Sequence, residues 1–241
     1  MLDLSRLRER WPDREVHWRE SVDSTMYEAQ RLASLGCPSG TVVGADEQTA
    51  GIGRHGHHWH SEADAGLYFT AILRLPSPAP IVTLMLGVAI QEAIATVTGV
   101  RCDLRWPNDL LIGEKKVAGI LAQLHEGAVL AGIGINVNHA ALPVNIEDVA
   151  TSLRLVTGHG CRRDDLLLSA LESIDQHAAL SKEDVLRLFA RGSSYVNGRR
   201  VTVDGMRGVT SGLDADGFLL LEKENGGRTL ILAGGVRPDP A

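Results

Sequence analysis

Between Cys102 and Asn136 the chain strings together four runs with strand character, Cys102–Trp106, Asp109–Ile112, Lys116–Leu124 and Ala128–Asn136, joined by links of two or three residues. Links that short leave no room for a crossover helix, so neighbouring runs pair antiparallel. Helical patterns lie around them, from about Ile81 to Thr98 and at Asp164–Leu180 and Lys182–Ala190. Upstream come a short helix within Asp3–Arg10, a strand at Val16–Trp18, and an amphipathic helix that opens at Thr25 with capping-box spacing to Glu28 and ends near Gly36. Strands at Thr41–Ala45 and Leu67–Leu73 follow. Runs of strands with helices between them, without strict alternation, predict an α+β fold on a largely antiparallel sheet. Arg191-Gly192-Ser193-Ser194 reads as a linker. Beyond it, β-rich runs at Arg200–Val203, Val209–Leu213, Phe218–Glu222 and Arg228–Leu232, split by Asp-Gly and Gly-Gly turns, predict a small barrel of about five strands. The expected division is residues 1–191 and 192–241.

With 44% hydrophobic and 22% charged residues in 241, the chain can bury a real core. Its formal net charge of -6, from 24 Lys and Arg against 30 Asp and Glu, argues against a broad electrostatic grip on nucleic acid. About 20 residues precede the first functional segment, too few for a DNA-reading helix-turn-helix module. Cys37, Cys102 and Cys161 lie far apart, which fits a reducing compartment. The longest apolar run, Ile81–Ile90, stops at Gln91-Glu92, short of the roughly 20 residues of a membrane span. With no secretory pattern at the N-terminus either, the expectation is a cytoplasmic protein with no membrane and no nucleic-acid partner.

Glu47–Ala65 has no apolar period and reads as a long functional loop whose order depends on ligand. Its Gly51-x-Gly53-x-x-Gly56 has dinucleotide-loop spacing, but no helix opens after it; the glycines still let amides approach a phosphate, with Arg54 adding charge. An ordinary mobile surface loop is the alternative. His55, His57, His58 and His60, with Glu62 and Asp64 nearby, match no metal-ligand spacing and read as solvated side chains. In Arg105-Trp106-Pro107-Asn108-Asp109, Pro107 breaks a strand ladder and leaves Asn108 and Asp109 at a strand edge, where a carboxylate can hold Mg2+ against a triphosphate; a plain hairpin turn is the alternative. The Gly113-Glu114-Lys115 turn folds Lys116 back beside Asp109, either as a cation for displacement of pyrophosphate or as a lysine snorkelling from a strand end.

Taken together, Asp23-Ser24-Thr25, Glu47–Gly51, Gly53-Arg54-His55-Gly56, Trp59, Gly66-Leu67-Tyr68, Trp106–Asp109, Lys116–Leu121 and Gly134-Ile135-Asn136 resemble the biotin-protein ligase family, in its order and approximate spacing. The match is close over roughly residues 16–140 and looser beyond. The resemblance implies a mixed, largely antiparallel catalytic sheet with flanking helices, an SH3-like C-terminal barrel, and a monofunctional enzyme without a DNA-binding domain. It implies that biotin is activated as biotinyl-5'-AMP and passed to a lysine of a biotin carboxyl carrier domain. Biotin is then the substrate, ATP and Mg2+ the co-substrates, and there is no prosthetic group. On that reading Ser24, Thr25, Gln48, Gly51, Arg54, Lys116 and Gly119 bind biotin. Gly53, Arg54, Trp59, Asn108 and Asn136 bind ATP or the adenylate, Asp109 holds Mg2+, and Lys116 and Arg54 are catalytic. Ile52, His55 and His57 stand where the family commonly has arginine, and Arg105 where lysine is usual. A lipoate or octanoate ligase of the same superfamily and a non-catalytic biotin-binding module are the competing readings; monomer or homodimer stays open.

Overall fold

The computed structural model describes residues 2–75, 81–224 and 226–239; Met1 and Pro240-Ala241, the outer ends of the two expected divisions, lie outside the described residues. Strands β1 (Val16–Val22), β2 (Val42–Gln48), β3 (Gly66–Leu73), β4 (Asp103–Arg105), β5 (Asp109–Ile112), β6 (Lys115–His125) and β7 (Ala128–Asn136) form one sheet in the order β1-β2-β3-β7-β6-β5-β4. β1 runs parallel to β2, and every other pairing is antiparallel. This is the α+β, largely antiparallel mixed sheet expected from the sequence. β3 is buried along its whole length and β7 almost so, because the two pair at the sheet's centre.

Successive side chains of a strand point to opposite faces, and both faces are covered. On one, α2 (Thr25–Ser34) packs Met26, Ala29 and Ala33 against Val43, Ile72 and Leu130. On the other lie α3 (Ile81–Thr98), α5 (Arg163–His177) and α6 (Lys182–Arg191), over Val42, Ala71, Ile133 and Ile135. α3 is long and apolar enough to cross a membrane by length and composition alone. Its apolarity has a local cause: α5 and α6 pack against it, and its apolar side chains between Val82 and Ile94 belong to the main core.

The cap of α2 departs from the sequence reading. Ser24, not Thr25, is the N-cap: its Oγ accepts from the Met26 N–H at 3.3 Å, which frees Thr25 for a tertiary bond. α1 (Ser5–Arg10) forms as expected, whereas α4 (Leu153–Thr157) was not foreseen. It carries ordinary signals, a Ser152 cap bonded to the Leu155 N–H and a left-handed Gly158 at its end.

The second sheet is antiparallel, in the order β11 (Arg228–Ile231), β10 (Leu219–Lys223), β9 (Met206–Leu213), β8 (Asn197–Val203), β12 (Val236–Pro238). The segment read as a linker is a strap. The Leu104 N–H donates to the Gly192 carbonyl at 2.9 Å, Ser193 Oγ donates to the Leu104 carbonyl, and the Ser194 N–H and hydroxyl donate to the Asp103 carboxylate at 2.7 and 2.6 Å. Trp106 Nε1 donates to the Gly217 carbonyl at 2.9 Å. The main core runs on into Val201, Leu219 and Leu221, so the second sheet is fastened beside the β4–β5 turn.

Candidate active site

The site begins with missing side chains. Gly119 on β6 sits opposite Gly134 on β7, and Gly132 faces the same way two residues earlier. A Cβ at Gly119 would fall 2.8 Å from Lys116 Cε and 2.9 Å from the Trp59 ring, and one at Gly134 would fall inside the indole. The bare strip is a floor, and Trp59 lies on it.

Trp59 is delivered by the loop after β2, which is organised by backbone bonds rather than an apolar face. The Gly53 N–H donates to the His57 carbonyl at 2.7 Å, the Trp59 N–H to the Gly51 carbonyl at 2.8 Å, and Ile52 bridges to His58. Ile52 packs on the small apolar cluster of the α2 side, so it anchors the loop where the family commonly places a cation. His55, His57 and His58 are exposed, while Arg54 is half-buried.

Arg54 Nη1 donates to Asn108 Oδ1 at 2.9 Å and to the Gly234 carbonyl at 3.3 Å, and the Asn108 amide donates to the Ile120 carbonyl. Burial lowers the Arg54 pKa from its usual value, while Asp109 and Asp204 pull it back up. Among the described residues the guanidinium makes no close ion pair, and its hydrogen bonds go to neutral oxygens, with Asp109 and Asp204 acting from farther off. Lys116 differs. Its Nζ lies 2.5 Å from Asp109 Oδ1 and 5.3 Å from the Trp59 ring centre, and Arg105 bonds the other Asp109 oxygen at 2.7 Å. Burial alone would raise the Asp109 pKa, but Lys116 and Arg105 outweigh it and hold the carboxyl below its usual value.

On the other side lies a neutral polar cradle. The Thr25 N–H and hydroxyl donate to Gln48 Oε1 at 2.9 and 3.1 Å, Thr70 Oγ1 donates to Thr25 Oγ1 at 2.9 Å, and Gln48 Nε2 donates to Ser61 Oγ at 3.1 Å. All four side chains are buried. The cavity between cradle, floor and cations measures about 40 Å³. Small-molecule sites commonly hold roughly 300 Å³ or more, so Trp59 closes this one.

Of the residues singled out from the sequence, Thr25, Gln48, Gly53, Arg54, Trp59, Asn108, Lys116 and Gly119 line this cavity. Asp109 grips Lys116 from beside it, and a Cβ at Gly51 would meet the Trp59 carbonyl. Ser24 and Asn136 stand outside the lining: Ser24 caps α2, and the Asn136 amide donates to the Thr151 carbonyl at 3.0 Å. Sequence reasoning passed over Ser61, Thr70, Gly132 and the Gly234 carbonyl. Only Gly132 carried a usable signal, as one of two glycines spaced by two in an otherwise aliphatic strand.

Residues 18–139 match the biotin/lipoate A/B protein ligase family. The chain is 34% identical over 227 residues to the bifunctional ligase/repressor BirA of Bacillus subtilis, over 87% of this chain and 70% of that protein. It is 30% identical over 220 residues to the biotin--[acetyl-CoA-carboxylase] ligase of Mycobacterium tuberculosis, over 85% and 81%. The solved structure of the biotin protein ligase from Aquifex aeolicus in complex with biotin and ATP superposes with a TM-score of 0.81 at 33% identity, over 92% of this chain and 97% of that one. A likeness that begins in β1, spans the whole floor and loop, and carries on through the second sheet is a likeness of the entire site-bearing fold, and the chain belongs to the biotin/lipoate A/B protein ligase family.

Proposed function

We propose that this protein is a biotin-protein ligase, activating biotin as biotinyl-5'-AMP and transferring it to a lysine of the biotin carboxyl carrier domain of a carboxylase. One observation carries the reading: a buried neutral cradle of Thr25, Gln48 and Ser61 lies across the glycine floor from Lys116 and from the Arg54 guanidinium, which among the described residues hydrogen-bonds neutral oxygens. A neutral ureido ring suits the first and a carboxylate with phosphate the second. An acid lacking the ring would bring the polar cradle no groups with which to exchange hydrogen bonds.

In the first step a biotin carboxylate oxygen attacks the α-phosphorus of ATP and pyrophosphate leaves. Lys116 and Arg54 offset the charge gathering on the carboxylate and α-phosphate oxygens. In the second, the acceptor lysine's neutral amine attacks the mixed anhydride carbonyl, the bond to phosphate breaks, AMP departs and the amine gives up a proton. Trp59 lifts to admit the acid and then covers the adenylate against water.

Both Asp109 oxygens are occupied by Lys116 and Arg105, so the carboxylate's first task is to aim Lys116; Asp109 is also the residue that would hold a Mg2+ ion accompanying ATP, which would offset charge on the phosphate oxygens. Ser24 shapes the entry of α2 at the biotin end, and Asn136 sets the adenine end through its hold on Thr151. Residues 1–191 supply the chemistry, and 192–241 form an appended domain whose Gly234 carbonyl fixes Arg54. We place the enzyme in the cytoplasm, with no nucleic-acid partner.

The test is incubation with a carrier domain, ATP, Mg2+ and biotin, followed by peptide mapping. Biotin on one lysine of the carrier is expected; an unmodified carrier contradicts the assignment.

A further inference from the structure

Beside the ligand site two distant segments meet. The loop leaves Trp59 through His60, Ser61 and Glu62, and the chain leaves β7 through Val137 and Asn138 to His139. One ligand-capable atom from each of His60, Glu62 and His139 lies within 4.8 Å of the others, and the two imidazole centres are 5.9 Å apart.

With the Tyr68 proton directed to the Glu62 carbonyl, His139 is the Nε2–H tautomer. The Tyr68 hydroxyl donates its one proton to the Glu62 carbonyl at 3.2 Å, so its oxygen accepts from His139 Nε2, 3.3 Å away. His139 Nδ1 then carries a lone pair. His139 is fully buried, and Nδ1 has no hydrogen-bond partner among the described residues. A buried acceptor with no donor is unfavourable unless something else takes the lone pair.

We propose that His60, Glu62 and His139 bind a late first-row divalent cation, with Zn2+ the best fit, and that the ion staples the ligand loop to the chain just past β7. Two imidazoles and one carboxylate form a donor set for Zn2+ rather than for Mg2+. The Tyr68 oxygen, taking the far ring N–H of His139, is the outer partner that orients a metal-binding imidazole. Zn–N and Zn–O bonds of about 2.0–2.2 Å, tetrahedral with a water as fourth ligand, ask the donors to close by roughly an ångström. The exposed Glu62 and half-buried His60 can make that movement while the buried His139 stays in place. The ion would tie the residue after Trp59 to the segment three residues past Asn136. It would therefore stiffen the loop that covers the ligand.

The experiment titrates chelator-stripped protein with ZnCl2 by calorimetry, follows CoCl2 binding by visible absorption, and measures hydrogen exchange across residues 51–65. It makes no use of ligase turnover. One equivalent of Zn2+, a tetrahedral Co2+ spectrum and slower exchange in the loop are expected. His60→Ala and Glu62→Gln should each weaken binding about tenfold or more, with the thermal unfolding of each variant measured beside it. The triple change of His55, His57 and His58 to Gln should leave binding intact. The proposal is overturned if no saturable binding occurs. It is equally overturned if binding survives both His60→Ala and Glu62→Gln yet disappears with the triple change, which would put the ion on the exposed histidines.

Discussion

The two faces of the central sheet are built from the same strands for opposite purposes. On β7, Ile133 and Ile135 point into the helices of the main core, while Gly132 and Gly134 between them present bare backbone to the ligand side. On β6, Ile120 and Gly119 divide in the same way. The period-two geometry of a strand lets adjacent residues serve stability and chemistry with little cross-talk. One face is filled with branched side chains under α3, α5 and α6. The other carries Val43, Ile72 and Leu130 under α2 but is bare at Gly119, Gly132 and Gly134, so that an indole, a lysine and a guanidinium can gather over the floor. Substitutions on the two faces should therefore fail in different assays.

The largest separation is expected from Lys116→Ala. Adenylate formation should fall by about 10²–10³-fold, the scale for losing a charge-stabilising donor, while thermal unfolding barely moves. Single-turnover pyrophosphate release reads it, and unchanged rates would remove Lys116 from the chemistry. Ile135→Ala, one strand position from the floor, should do the reverse, costing about 2–5 kcal/mol in denaturant unfolding with activity per folded molecule retained. Arg54→Gly should speed escape of the adenylate by roughly 10–100-fold, as expected for loss of charge-assisted bonds, and so label bystander proteins. Tight retention by that variant would break the assignment of Arg54 to phosphate. Gly134→Ala pushes a methyl into the indole's place, and roughly tenfold weaker adenylate binding is expected, with stability within about 1 kcal/mol.

The smallest effect is in pH. The Asp109 carboxyl is held below its ordinary value of 3.8 in the fold, so its ion pairs contribute stability that is fully present above that value and lost as pH falls through the folded one. Asp109→Asn should therefore show less loss of stability on acidification below about pH 4 than the parent, by pH-dependent unfolding. An equal acid response in both would mean that the pairs with Lys116 and Arg105 contribute nothing.

Local signals were read well where they are strong. Asp109–Ile112, Ala128–Asn136 and Ile81–Thr98 stand in the structure with the ends read from the sequence, because Pro-Asn, Gly and polar punctuation mark those boundaries. The adjacency of Asp109 and Lys116 was legible too, since a short turn leaves the chain little choice. What stayed hidden depends on partners far along the chain. Ser24 takes the cap because Gln48 engages Thr25, and Arg191–Ser194 is a strap because β4 lies beneath it. His139 joins His60 only once β7 has paired with β3. Polar composition reads as loop in every such case, and the sequence cannot say what the loop is pressed against.

The most direct measurement offers the protein equal concentrations of biotin and lipoate with ATP and Mg2+, then identifies the retained acyl-adenylate by mass spectrometry. Biotinyl-5'-AMP alone is the expected result, because the Thr25–Gln48–Ser61 cradle offers bonds that only a ureido ring can match. Retention of lipoyl-AMP, or of no adenylate at all, would contradict it.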